Sequence, residues 1–528
     1  MSQQKNPLGQ YFTPRHVAEF MVQLLATRTD GKVLEPSAGA GVFVAALNAA
    51  GYSNITAVEI DQEIVDYTCQ SLHLASFVSW TQNEQFDAII GNPPYIRWKN
   101  LGDDERAEIQ LSPYWGKLLN SLSDYLMVFI VKAVDLLRSG GELIFITPSF
   151  WFHTQHSQAV RDYLLEHGSF SNVIQFGEAK VFDGVSSAIV IFRYVKDLDA
   201  SHQINYHTYV GPRKIPANLG LDDPTQFSST AIPQFRVNSH WTLATHDEQR
   251  RQDDFENWAN SSSAVQSTLF DTEQALSLGE FVTIANGMVS GLDRAFRAPD
   301  ELLESLSDRE RTAIRKVSKA ADLQRLFTRK FSLYIDLPSG LSQTEVRTKF
   351  PRIYRHLTKF REQLEARYSY DRELPFWEWA FRRSEKFFLD ESSKLFVPCK
   401  ERLTNKTHVR FSLTVRDTIA TQDVSAISPH KDTRESIEYF AAFLTLDEVT
   451  DWVRQRGLMK GGIAEFSERP IAAIPFRSID WTNDREIAAH NEITNIVKGV
   501  RRGGVGESSF QQIRRVFETE LGLAPKHS

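Results

Sequence analysis

The chain has 528 residues, 60 Lys plus Arg against 67 Asp plus Glu, and 41% hydrophobic residues, which excludes disordered and fibrous classes and allows two to four domains with cores of their own. Cys69 and Cys399 are its only cysteines, so neither a disulfide framework nor a cysteine-built metal site is expected, and the scattered histidines suggest no metal either. The first nine residues are polar, and no run approaches the ~20 apolar residues of a bilayer span, so a cytoplasmic protein with no membrane role is expected.

In chain order, apolar runs at 32–35, 55–58, 86–90, 142–147 and 173–176 predict strands. The intervening periodicity predicts helices over 15–25, 42–50, 63–72, 124–137 and 155–166, the first capped by Thr13 ahead of Pro14. Strand and helix in alternation imply a mostly parallel sheet covered on both faces. A last run, 187–194, follows closely enough to form an antiparallel hairpin at the sheet edge. Residues 211–245 read as an irregular connection, which places the domains at 1–245 and 246–528. The second part mixes helical patterns at 309–325, 346–367 and 436–444 with strand-like runs at 395–398 and 471–474.

Charge is unevenly divided, with a net −8 over residues 1–250 and +1 over 251–528. Within the second part, residues 347–410 carry a local +7 interleaved with Tyr354, Tyr368, Tyr370, Trp377, Trp379 and Phe381. Basic residues among aromatics suggest a polyanion surface. The plainer alternative is arginine stems covering a helical core face.

Three strand ends carry chemistry. The first strand runs into Glu35-Pro-Ser-Ala-Gly-Ala-Gly41 and a helix, where small residues let backbone approach a ligand. No Gly-Lys-Ser/Thr follows, and the third glycine of the dinucleotide fingerprint is missing. The second strand ends in Glu59, where doubly wound folds grip ribose hydroxyls, so a nucleoside ligand without a diphosphate is implied. The fourth delivers Asn92-Pro-Pro-Tyr95. Its prolines remove N–H donors and leave two acceptors, the Asn92 side-chain oxygen and the Pro93 carbonyl, beside an aromatic face, a set suited to an exocyclic amino group.

These motifs, together with Gly9-Gln-Tyr-Phe-Thr-Pro14 and in this order, resemble the gamma-class N6-adenine DNA methyltransferases, the TaqI-like modification enzymes of type II restriction-modification systems. The resemblance covers roughly the first 200 residues. It implies a seven-stranded, doubly wound class I methyltransferase sheet with a terminal antiparallel hairpin, followed by an α+β target-recognition domain, and S-adenosyl-L-methionine as cofactor. Tyr11, Thr13, Glu35, Pro36, Ser37, Gly39 and Gly41 would surround the methionine part. Glu59 would hold the ribose and Ile60 the adenine, with Asn92 and Pro94 completing the site. Where the family carries an acidic residue and an aromatic on the third strand, this chain has Ser76 and Phe77.

Asn92, Pro93, Pro94 and Tyr95 would act on an adenine flipped from duplex DNA, with Phe182 against its other face. A loosely similar region supplies Arg382, Arg383, Lys386, Lys400, Arg402 and Lys406 as DNA contacts. A monomer on DNA and a cognate restriction endonuclease acting on the same site are the expected partners. Rival readings are methylation of RNA guanine or protein glutamine through the same pocket, and a DNA-binding scaffold with weak catalysis. A fused nuclease has no supporting carboxylate-lysine cluster.

Overall fold

The structure is a computed structural model; it describes residues 12–65, 67, 69, 71–182, 188–199, 202–239, 241–261, 276–368, 373–390, 392–404, 406–460, 462–504 and 506–525. The chain divides into two compact units, Met1–Gln249 with Lys460–Gly462, and Arg250–Met459 with Ile463–Ser528.

The first unit is built on β1 (Lys32–Glu35), β2 (Asn54–Glu59), β3 (Ser71–Leu74), β4 (Phe86–Gly91), β5 (Leu137–Pro148), β6 (Ser169–Gln175), β7 (Ile189–Val195), β8 (Gln203–Tyr209) and β9 (Phe227–Pro233). They form one sheet in the order β3-β2-β1-β4-β5-β7-β6-β8-β9. Strands β1 to β5 run parallel, while β7 lies antiparallel between β5 and β6. Side chains alternate across the sheet. Val33, Ile55, Ala57, Ala88, Ile90, Ile144 and Ile146 pack into one core, and Leu34, Val58, Ile89, Leu143, Phe145 and Phe192 into the core on the opposite face.

Helices α1 (Arg15–Gln23), α2 (Val42–Ala49), α3 (Asp103–Leu111), α4 (Tyr125–Leu136) and α5 (Gln158–His167) flank the sheet. Helix α4 is apolar around most of its circumference, and all its residues from Tyr125 to Val134 except Lys132 are buried, as expected of a helix enclosed in a core.

Three expectations change. The sheet has nine strands rather than seven, because β8 joins β6 in parallel and pairs with β9 along its full length; β9 falls in the stretch expected to be irregular. The helix expected over 63–72 is absent among the described residues. A single turn at Gln62–Ile64 is followed by β3, whose Ser71–Leu74 backbone pairs in register with Thr56–Glu59. Thr13 does not cap α1; Pro14 stands at that position with no side-chain cap.

In the second unit, Val282–Asn286, Val424–Pro429, Leu395–Pro398, Ser412–Leu413 and Leu326–Phe327 form a five-stranded sheet in that order. Phe440, Phe443, Phe476, Phe517 and Trp258 fill the core beside the helices Ile437–Leu444, Asp484–Gly503 and Glu507–Thr519. The helix expected over 346–367 is broken into Gln343–Lys349, Pro351–Thr358 and Arg361–Glu365, since Pro351 lacks the N–H that would continue the first segment. The helix expected over 309–325 stops at Arg311 and gives way to the strand Ile314–Ser318. Ile471 lies in the helix Glu468–Ala472 rather than in a strand.

Candidate active site

Glu35, Glu59 and Asn92 stand at the carboxyl ends of the adjacent parallel strands β1, β2 and β4. The strand order reverses direction at β1 and β4, which opens a crevice where ligands bind in such sheets. A cavity of about 110 Å³ occupies this place, lined among others by Pro36, Ser37, Gly39, Glu59, Ile60, Ser76, Phe77, Asn92, Pro93 and Pro94. These ten residues, expected to act together, thus line one cavity, whereas Thr13, Glu35, Gly41 and Tyr95 are not among its lining residues. Tyr11 lies outside the described residues.

The loop after β1 needs its glycines for different reasons. Gly39 has φ +54 with open space around a would-be Cβ, so backbone conformation alone favours glycine there. Gly41 has φ +75, and a Cβ would also sit 2.6 Å from the ring of Tyr67. The Gly39 N–H donates to Glu59 at 2.6 Å, and the N–H groups of Ile60 and Asp61 donate to its other oxygen at 2.9 and 2.8 Å. Three amides thus fix the Glu59 carboxylate, which retains acceptor capacity toward the cavity.

Glu35 is 1% exposed, and its Oε2 has no hydrogen-bond partner. Burial, aided by the charge of Glu59, holds its carboxyl well above the ordinary range. A buried acid with one oxygen unpartnered, its carboxyl also hydrogen-bonded to the Val44 backbone, beside a second carboxylate suits a ligand with positive charge and hydroxyl donors. S-adenosyl-L-methionine, which carries a sulfonium, an ammonium and a ribose diol, fits that donor set.

At the end of β4, the Asn92 amide donates to Thr13 Oγ1 at 3.0 Å, and Ser37 Oγ donates to the Asn92 carbonyl at 3.2 Å. Thr13 is buried and so supports Asn92 from behind. The Tyr95 hydroxyl reaches two acceptors, Asn92 Oδ1 and the Ile146 carbonyl, the latter at 2.7 Å. Asn92 and Tyr95 therefore form one bonded group tied to β5.

Phe182 is corrected. It is 4% exposed, in the core formed with Val181, Ile189 and Phe176, and presents no open face for a base. The sequence reading also missed Phe12, Ala75, Ile96, Glu105, Tyr125 and Phe129, which complete the lining. Glu105 and the last two sit on α3 and α4, whose placement against the strand ends no local motif signals.

In the second unit, Arg382 is committed to the fold. Its guanidinium donates to Asp336, to the Leu337 carbonyl at 2.6 Å and to Glu385 at 2.8 Å, which removes it from the expected DNA contacts. Lys406 donates to the buried Glu401, which Arg410 also holds at 2.7 Å. Lys386, Lys400 and Arg402 are exposed, and the last two flank the inward Glu401 on one short strand. Arg383 lies over the Phe381 ring at 5.6 Å.

Residues 46–182 match the Eco57I restriction-modification methylase model and residues 1–64 the N-6 DNA methylase model. The chain is 38% identical over 503 residues to the type II methyltransferase M.HindII of Haemophilus influenzae, covering 94% of each chain. It is 36% identical, with the same coverage, to M.HincII of Haemophilus influenzae. The solved type IIL restriction-modification enzyme MmeI, in complex with DNA, shares the fold with a TM-score of 0.60 at 12% identity, over 97% of this chain and 73% of that one. The first unit carries a mixed α/β sheet, and S-adenosyl-L-methionine is the cofactor. With its strand-end motifs around one cavity and its likeness to M.HindII running nearly end to end, the chain belongs to the N6-adenine family of type II restriction-modification DNA methyltransferases.

Proposed function

We propose that this chain methylates the N6 amino group of an adenine flipped out of duplex DNA. The observation that carries the reading is the placement of Asn92, Pro93 and Pro94 at the end of β4, on the wall of the cavity that also holds Glu59, with Tyr95 hydrogen-bonded to Asn92 beside them. S-adenosyl-L-methionine supplies an electrophilic methyl group when bound. Asn92 Oδ1 and the Pro93 carbonyl accept the two N–H bonds of the adenine amine, which withdraws its lone pair from the ring and aims it at the methyl donor. Positioning, rather than a strong base, lowers the barrier.

Tyr95 has one hydroxyl proton and two acceptors within reach. On base entry it donates to the Ile146 carbonyl alone, freeing Asn92 Oδ1 while the tether holds the ring for stacking. Residues 1–245 bind cofactor and target base. Residues 246–528 recognise DNA, with Arg383, Lys386, Lys400 and Arg402 as candidate phosphate or guanine contacts. A monomer acts at each site, and a cognate endonuclease cuts the same sequence when it is unmethylated. Among the described residues no helix is long and apolar enough to cross a membrane.

Asn92→Ala tests the mechanism. Methyl transfer should fall by roughly 10²-fold or more, while duplex affinity measured by fluorescence anisotropy stays close to wild type. Retained transfer rejects the role of Asn92.

A further inference from the structure

We propose that Glu108, acting through Ser76, makes the aromatic end of the cavity a reader of the cofactor's exocyclic amino group. The inference rests on the reading of this cavity as the cofactor site. At that end, Phe77 is 2% exposed with its ring centroid 4.9 Å from that of Phe129, and Ile60, Ala75 and Ile96 add apolar walls. Lys132 backs the group, its Nζ donating to the Val78 carbonyl at 2.9 Å and lying 5.1 Å from the Phe77 ring centroid. An aromatic base fits such a slot, and polar discrimination within it falls to Ser76, Glu105 and Tyr125.

A serine hydroxyl alone reads poorly, because it rotates to donate or to accept. Here Ser76 Oγ donates to Glu108 Oε2 at 2.8 Å and accepts from the Val78 N–H at 3.3 Å. Glu108 takes the hydroxyl proton and leaves the oxygen as an acceptor, with the Tyr125 hydroxyl as a further hydrogen-bond partner of Ser76. Glu105, one helical turn before Glu108 on α3, adds a second acceptor to the same wall. A group carrying N–H bonds meets two acceptors, Ser76 and Glu105, whereas a carbonyl in its place finds the Tyr125 hydroxyl as the one donor among these three side chains, an arrangement that favours the amine.

Calorimetric titration of the full-length protein compares S-adenosylhomocysteine with S-inosylhomocysteine, in which a ring carbonyl replaces the amine. Wild type should favour the adenine ligand by about tenfold or more. Ser76→Ala and Glu108→Ala should bring the two within about threefold, while Glu108→Gln, which keeps an oxygen to take the Ser76 proton, retains most of the preference. That rescue distinguishes proton acceptance by Glu108 from a merely structural role. Equal affinities in wild type overturn the proposal without any variant, as does a full preference in Glu108→Ala. Glu59→Ala should weaken both ligands alike; if it changes neither, the cavity is not the cofactor site, and that failure is separate from the failure of the Glu108 assignment.

Discussion

At the scale of single residues, Glu35 couples the stability of the fold to pH. Its carboxyl is raised above the ordinary 4.5 chiefly by burial. It therefore contributes stability that is fully present below 4.5 and is lost as pH rises through the folded value. Without cofactor, Glu35→Gln should be the more stable protein at neutral pH, with the two converging in acid, as read by scanning calorimetry across that window. S-adenosyl-L-methionine should narrow the gap, because its positive charge favours the ionised acid. Glu35, Glu59 and Asn92 were legible in the sequence because each closes a strand and carries its chemistry in its own side chain. Glu108 was not, since its hydrogen bond with Ser76 spans 32 positions and depends on how α3 folds back. Phe182 misled for the opposite reason: an aromatic at a motif position has the same letter whether it faces a pocket or fills a core.

Among the elements, α4 shows most directly what holds the site in place. Ile130 is fully buried in the core shared with Phe129 and Phe77, so Ile130→Ala should cost about 3 kcal/mol in urea unfolding. A loss below about 1 kcal/mol would mean that the helix is not enclosed as described. The periodicity over 124–137 predicted this helix, and short apolar runs predicted the central strands. Elements settled by long-range pairing were harder. β3 begins inside a stretch that reads as a helix and is decided by its register with β2; β9 reads as a polar connection, its middle residues exposed, and exists because β8 offers it a full antiparallel ladder.

Taken as a whole, the molecule keeps its acidic balance in residues 1–250 and its densest basic run at 347–410. The sequence showed this asymmetry but not which cations serve DNA, because an arginine's partner is set by tertiary structure. Lys400→Gln with Arg402→Gln should weaken duplex binding and flatten its salt dependence by about 0.9 in log–log slope for each phosphate left unneutralised, with cofactor affinity unchanged. Arg382→Ala should instead lower thermal stability, since it leaves the buried Asp336, which is 5% exposed, with Arg315 at 3.5 Å in place of two paired arginines. Filter binding across a salt series and thermal unfolding separate the two effects. The central claim is chemical, and one measurement addresses it directly: incubation of the purified protein with methyl-labelled S-adenosyl-L-methionine and mixed-sequence duplex DNA, with ribosomal RNA and release-factor protein in parallel, followed by mass spectrometry of the labelled products. The account predicts N6-methyladenine in the DNA alone; label confined to RNA or protein, or bound cofactor with no transfer at all, would contradict it.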